Sequence, residues 1–366
     1  MAETNPLPGH PADPFLVPPT SRRVRLRRFC LLVLKAAGWT ALTLAMLWSL
    51  AAVYFTDVAP GGSPRRFTAI GLAVLFAAAL ALLRPIWQGQ VVAAALFLCV
   101  LVWFFTRTPG SDKQWTPDVA RTPGITVEGD LLTVRNVRHF RYGASETDVA
   151  PRWDTRTYDL SKLRRVDYIL SYWAGEAIAH AMVSFGFDDG QYLTVSIETR
   201  KEVGEEYSAV EGFFRQYELV YVFADERDLI GVRTSVRGER VYVHPLRTPP
   251  RRAREVLLDY IAHANALAEQ PEFYNALTSN CATGVVRHFS SDRWKPSPWT
   301  LGLLLPGYSG RWAYDIGATD RSLPYETFRE RCNVVDEARA AGLENPDFSR
   351  LIRVGLPEPA LLPVGR

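Results

Sequence analysis

The 366-residue chain has only four cysteines and three methionines. No two cysteines form a C-x-x-C pair, which excludes zinc ribbons and the disulfide frameworks of small secreted domains. No G-x-G-x-x-G follows a strand-like run, and neither a P-loop nor H-E-x-x-H is present. The sequence therefore implies no nucleotide, cofactor or metal. Internal repeats are absent as well. Net charge is scarce: 42 Lys and Arg stand against 39 Asp and Glu, a balance of +3. The small excess is unevenly placed. Residues 1–105 carry nine basic and three acidic side chains, so the rest of the chain is mildly acidic. That half lacks the basic face nucleic acids require, and no nucleic-acid partner is expected. With 10 Trp, 15 Tyr and 18 Phe, the chain is too aromatic to be disordered throughout.

What the sequence does contain begins with apolar runs. Residues 1–21 are Pro-rich and polar. With Arg22, Arg23, Arg25, Arg27 and Arg28 they read as a disordered basic cytoplasmic tail over 1–28. Residues 36–55 are free of charge, 20 positions that suffice to cross a hydrocarbon core of ~30 Å. Residues 67–83 and 86–105 are two further spans, the last with Trp87 and Trp103 placed as interfacial anchors. Three transmembrane helices are thus predicted within 29–105. The five arginines and Lys35 place the N-terminus in the cytoplasm, so three crossings put the remainder outside. Arg65 and Arg66, in the first outer loop, run against that bias.

The rest divides into a connector over 106–124, a main domain over 125–335 and a C-terminal extension over 336–366. Strand-patterned runs at 125–134, 158–173 and 218–223 accompany a helix-patterned run at 251–269. Their irregular order predicts an α+β fold rather than a doubly wound sheet.

Residues 179–198 read AHAMVSFGFDDGQYLTVSIE, two alternating runs about Asp188-Asp189-Gly190. A three-residue connection ending in Gly suits a type I turn with a left-handed bulge. That register pairs Ala181 with Ile197, Val183 with Val195 and Phe185 with Leu193, making one face wholly apolar. The other face pairs His180 with Glu198, Met182 with Ser196 and Ser184 with Thr194. A two-residue turn would mix the faces, which burial of one side forbids. Glu198 is then within reach to fix the His180 imidazole. The plainer alternative is a surface His–Glu pair without chemistry.

In YNALTSNCATGVVRHF (274–289), Thr278, Ser279 and Asn280 are capping types, and Val285, Val286 and Phe289 follow at helical spacing. Cys281 falls in the first turn, where the half-dipole and free N–H groups favour the thiolate and can cradle an oxyanion. Two alternatives stand beside this reading: a buried structural thiol, or a disulfide with Cys332, the other cysteine outside the spans. His288 is two turns past Cys281, too far to be its base, and suits a helix-face or C-terminal charge role. Asn280, Ser196 and Tyr274 are the candidate contacts to substrate or oxyanion. His139, His244 and His263 show no partner pattern.

HAMVSFGFDDGQYLTVSIETRKE, GFFRQYELVYVFADERDLIGVRT, YNALTSNCATGVVRH and LLPGYSGRWAYDIG together resemble the periplasmic domain of the Lnb family, over roughly 115–335. That family is associated with bacterial lipoprotein N-acylation. The order His…Asn-Cys also resembles permuted papain-like folds such as the lecithin:retinol acyltransferase group. The resemblance implies a permuted papain-like thiol enzyme with Cys281 as nucleophile and His180 as base. Glu198 as orienting residue rests on the hairpin register instead. It further implies an inner-membrane enzyme that takes an acyl group from phospholipid and passes it to an amine, a lipoprotein N-terminus. Members are expected to carry membrane helices after this domain, whereas here all three precede it. A thiol hydrolase, peptidase or lipase, would use the same residues, and a membrane-tethered interaction module is the non-enzymatic alternative.

Overall fold

The computed structural model describes residues 22–56, 65–110, 113–143, 145–146, 148–290, 296–297 and 300–358. Residues 1–21 of the expected disordered tail lie outside them. Arg22–Arg28 do not belong to such a tail: they form the first turns of α1 (Arg22–Tyr54), because the apolar helix continues backwards without a breaker. α2 (Arg65–Leu82) and α3 (Ile86–Thr106) follow. These three helices are long and apolar enough to cross a membrane. They pack on one another through small residues and aromatic edges, as helices do where lipid gives no hydrophobic drive. A Cβ on Gly89 would lie 2.4 Å from the Ala79 carbonyl oxygen, so α3 approaches α2 only through glycine. Trp48 meets Phe97 and Phe104 edge-on.

Residues 107 onward form a second compact unit. Its strands are β1 (Gly124–Glu128), β2 (Leu131–Arg138), β3 (Arg141–Tyr142), β4 (Val149–Ala150), β5 (Trp153–Asp159), β6 (Leu163–Ala174), β7 (Ile178–Phe187), β8 (Tyr192–Arg200), β9 (Glu218–Ala224) and β10 (Arg240–Pro245). The order β1-β2-β9-β8-β7-β6-β10 makes one sheet, with β5 also paired to β2. The pairing is antiparallel except between β2 and β9. Its helices are α4 (Ala209–Phe213), α5 (Glu226–Gly231), α6 (Pro250–Glu269), α7 (Cys281–Phe289), α8 (Leu301–Leu304), α9 (Ser309–Asp315), α10 (Tyr325–Arg331), α11 (Val335–Ala341) and α12 (Phe348–Leu351). The α+β fold class, three apolar helices ahead of a sheet domain, is the one read from the sequence.

The β7–β8 hairpin has the register that the turn chemistry required. Met182 pairs with Ser196, Val183 with Val195 and Phe185 with Leu193, and Gly190 closes the turn at φ 82°. One face of the sheet holds Ala181, Val183, Phe185, Val195 and Ile197 under α6 and α7. The other face is not left to solvent. Met182, Val220 and Val222 join Leu229 and Ile230 of α5, Ala338 of α11 and Phe348 of α12 in a second apolar cluster.

The stretch read as a C-terminal extension therefore covers a sheet face as far as Leu356. It is tied there by Arg353, whose guanidinium bonds the buried carboxylates of Asp167 (2.8 Å) and Glu226 (2.6 Å). Such a group is costly to bury unless fully paired, and here it is. The connector runs along the end of β8: Thr116 N–H donates to the Lys201 carbonyl and Val203 N–H to that of Gln114.

Candidate active site

β7 and β8 part where the site begins. Their ladder ends at Met182–Ser196. Beyond it β7 stays paired with β6 as far as Ile178, and β8 with β9 as far as Arg200. The start of α7 sits at this split. Asn280 is the helix N-cap: its Oδ1 accepts the Thr283 N–H at 2.8 Å, and its Nδ2 donates to the Ala276 and Leu303 carbonyls. Gly284 N–H reaches the Asn280 carbonyl, so the N–H groups of Cys281 and Ala282 have no intrahelical partner. They face outward from the positive end of the helix dipole. The Cys281 sulfur is buried beside β7, close enough to the His180 side chain and the Ala181 N–H for both to favour its ionised form.

His180 is held from its far edge. Its Nε2 lies 2.6 Å from Ser196 Oγ and 3.2 Å from Glu198 Oε1. Ser196 donates its one hydroxyl proton to Glu198 Oε1 at 2.7 Å, so it accepts from Nε2–H. This fixes the Nε2–H tautomer and leaves the other ring nitrogen for the thiol. Glu198 is in turn approached by the buried Arg233 at 3.4 Å, from the π-helical turn Val232–Val236 after α5.

The electrostatics follow from these contacts. Burial alone would lower the His180 pKa, but the charges of Glu198 and Cys281 outweigh it and raise the group to about 9. Burial opposes the Cys281 thiolate; the charge and hydrogen bond of His180 and the Ala181 N–H overcome this and bring the thiol below its ordinary 9. Glu198, despite burial, is held well below the usual carboxylate range by His180, Arg233 and Ser196. The arrangement favours a thiolate–imidazolium pair.

The sign of the pH dependence is then set. The imidazolium is present below about 9 and is lost above it, while the thiolate persists from below that value. Acylation of the chain by a soluble ester should fall on a basic limb near 9, measured as burst rate against pH. A limb at the free-histidine value of ~6.5 would contradict the geometry.

Several residues are placed differently from their sequence reading. Ser196 turns to the imidazole rather than to an oxyanion, because the hairpin sets it one pair from His180 on the same face. The Asn280 amide is spent on the cap and two carbonyls, so it offers no free donor. Tyr274 stays beside the sulfur: its buried hydroxyl shares a hydrogen bond with Tyr207 and is raised by burial and by the Cys281 charge. Cys281 and Cys332 are both free thiols. His288 carries no helix-end charge; burial pushes it down to about 4, its Nδ1 meets Asp259 at 2.7 Å and its Nε2 meets the Tyr221 hydroxyl at 2.8 Å. His244 is likewise buried and lowered to about 4, with Nδ1 on the Tyr168 carbonyl.

Arg233 was not marked by any local pattern. It reaches the site only because β9 and α5 return beneath β8. Among the described residues, no cluster of three or more His, Cys, Asp or Glu side chains is arranged to hold a metal ion. No curated protein and no solved structure matches the chain. Residues 150–307, which hold His180, Ser196, Glu198, Arg233, Tyr274 and Cys281, match the family model of the Lnb N-terminal periplasmic domain, and they follow three helices long and apolar enough to cross a membrane.

Proposed function

We propose that the domain is a cysteine acyltransferase of permuted papain-like design, anchored in the bacterial inner membrane and working on its periplasmic side. The observation that carries this reading is Cys281 at a helix N-terminus beside His180, whose imidazole Ser196 and Glu198 hold from the other edge, with Arg233 on Glu198. In the first half-reaction the thiolate attacks the acyl carbon of a phospholipid ester. A C–S bond forms, the ester C–O bond breaks, and the imidazolium proton goes to the departing alkoxide. The Cys281 and Ala282 N–H groups face the developing oxyanion, while the Tyr274 proton is engaged with Tyr207. In the second half an amine attacks the thioester, neutral His180 takes its proton, and the thiolate leaves. The resemblance to the Lnb family supports the N-terminal amine of a lipoprotein as the acceptor.

The test is transfer from a phospholipid labelled in its acyl chain to a peptide bearing an N-terminal S-diacylglyceryl cysteine. Label is expected on the peptide amine. Its release only as free fatty acid, with water as acceptor, would contradict transfer and identify a hydrolase.

A further inference from the structure

A cavity of about 360 Å³ opens beside α7, away from the cap, lined by Leu246, Val285, Val286, Phe289, Trp312 and Ile316. We infer that it binds a single fatty acyl chain, held along the helix stripe that begins at the nucleophile. This rests on the acyl-thioester reading above and adds to it the place where the chain lies.

The first argument is helical. Cys281, Val285 and Phe289 are spaced by four, so they share one stripe of α7. At 1.5 Å per residue, Val285 is ~6 Å and Phe289 ~12 Å along the axis from the sulfur. A linear substituent on Cys281 that follows this stripe enters the cavity. Tyr168 joins the two regions: its side chain lines the cavity, and its phenol is close enough to Cys281 to feel the sulfur's charge.

The second argument is chemical. Three of the polar side chains at the cavity wall, those of Tyr168, Ser309 and Arg252, are satisfied within the protein. The Tyr168 hydroxyl bonds Ser309 Oγ at 2.7 Å, and Ser309 Oγ donates to the Pro306 carbonyl at 2.5 Å. The Arg252 guanidinium is taken up by Glu255 and by the carbonyls of His288, Phe289 and Ser290 that end α7. What Arg252 gives the cavity is its aliphatic stem. An apolar ligand beside these three groups therefore leaves none of them unpaired. The third argument is size. If a methylene takes roughly the ~30 Å³ of a water molecule, the space holds a chain of about a dozen carbons.

The experiment compares p-nitrophenyl butyrate, laurate and palmitate as acyl donors to the full chain. It follows the p-nitrophenolate burst and the mass added to Cys281. In each case the sulfur bonds the acyl carbon and p-nitrophenolate leaves with the C–O electron pair. The unaltered chain should react at least tenfold faster with laurate than with butyrate. Ala313→Phe, which fills the cavity, should lower that laurate-to-butyrate ratio at least tenfold. Trp312→Ala, which extends it, should raise the palmitate-to-laurate ratio at least threefold. A misfolded variant loses all rates together and leaves the ratios alone, and the second variant then decides. Unchanged ratios in the properly folded variants would overturn the cavity assignment while the thioester reading stands. Failure of every ester to acylate Cys281 in the unaltered chain would overturn that reading, and the assignment with it.

Discussion

Replacing Cys281 by serine is expected to lower acyl-enzyme formation by on the order of 10³-fold or more, with little change in the melting temperature. The two side chains are nearly the same size, so packing at the start of α7 survives. The chemistry does not, because a helix end and an imidazolium lower a thiol far enough to ionise but not a serine hydroxyl. Cys332 gives the opposite pattern. It is fully buried in the core beside α10, and burial holds its thiol above the ordinary range. Cys332→Ser places a hydroxyl there at a cost of about 1–3 kcal/mol, so the melting temperature should fall while the burst rate per folded molecule is kept. Equal destabilisation by both substitutions, with activity retained in both, would remove Cys281 from the chemistry.

The second large effect concerns the histidine and its support. General-base assistance is typically worth 10²–10⁴-fold, and His180→Ala should cost about that much. Glu198→Gln should act through the charge of the imidazolium. If it lets His180 relax from about 9 toward ~6.5, the imidazolium fraction at pH 8 drops roughly thirtyfold, and the basic limb of the rate profile moves down with it. Near pH 6 the loss should be small. Ser196→Ala removes the closer partner of Nε2 but leaves Glu198 at 3.2 Å, so its cost should be smaller again. The two supporting substitutions act on one ring, so their combined effect should be less than the product of the separate ones. A Glu198→Gln variant that loses stability with an unmoved pH profile would show the carboxylate to be packing alone.

The residues at the centre of the site were legible because each obeys a local rule. The Asp-Asp-Gly turn and the alternation of residues 179–198 fix one register; its ladder stops at Met182–Ser196, and past the split the side chains of His180 and Glu198 still meet at 3.2 Å. Capping residues before Cys281 put it at a helix start. The three apolar helices were legible for the same reason, since span length and absence of charge are properties of a continuous segment. What could not be read depends on distant chain. Arg233 is 35 residues from Glu198 in sequence and meets it only through the sheet order β9-β8.

The second face of the hairpin carries the polar pair Ser184 and Thr194. It is buried because Glu226 and Arg353 arrive from α5 and the C-terminal segment to satisfy it. Ser196, read as a contact to substrate or oxyanion, holds the imidazole instead. A serine one pair from a histidine can turn either way, and only the position of Glu198 Oε1 decides that it donates there and accepts from the ring.

The central claim is a covalent acyl group on Cys281, and intact-mass analysis with peptide mapping tests it most directly. The chain purified from membranes, or supplied with diacyl phospholipid, should carry a fatty acyl mass on the peptide holding Cys281. Neutral hydroxylamine should remove it, and the His180→Ala chain should lack it. An unmodified Cys281 in phospholipid-supplied protein, or an acyl mass confined to another residue, would contradict the account.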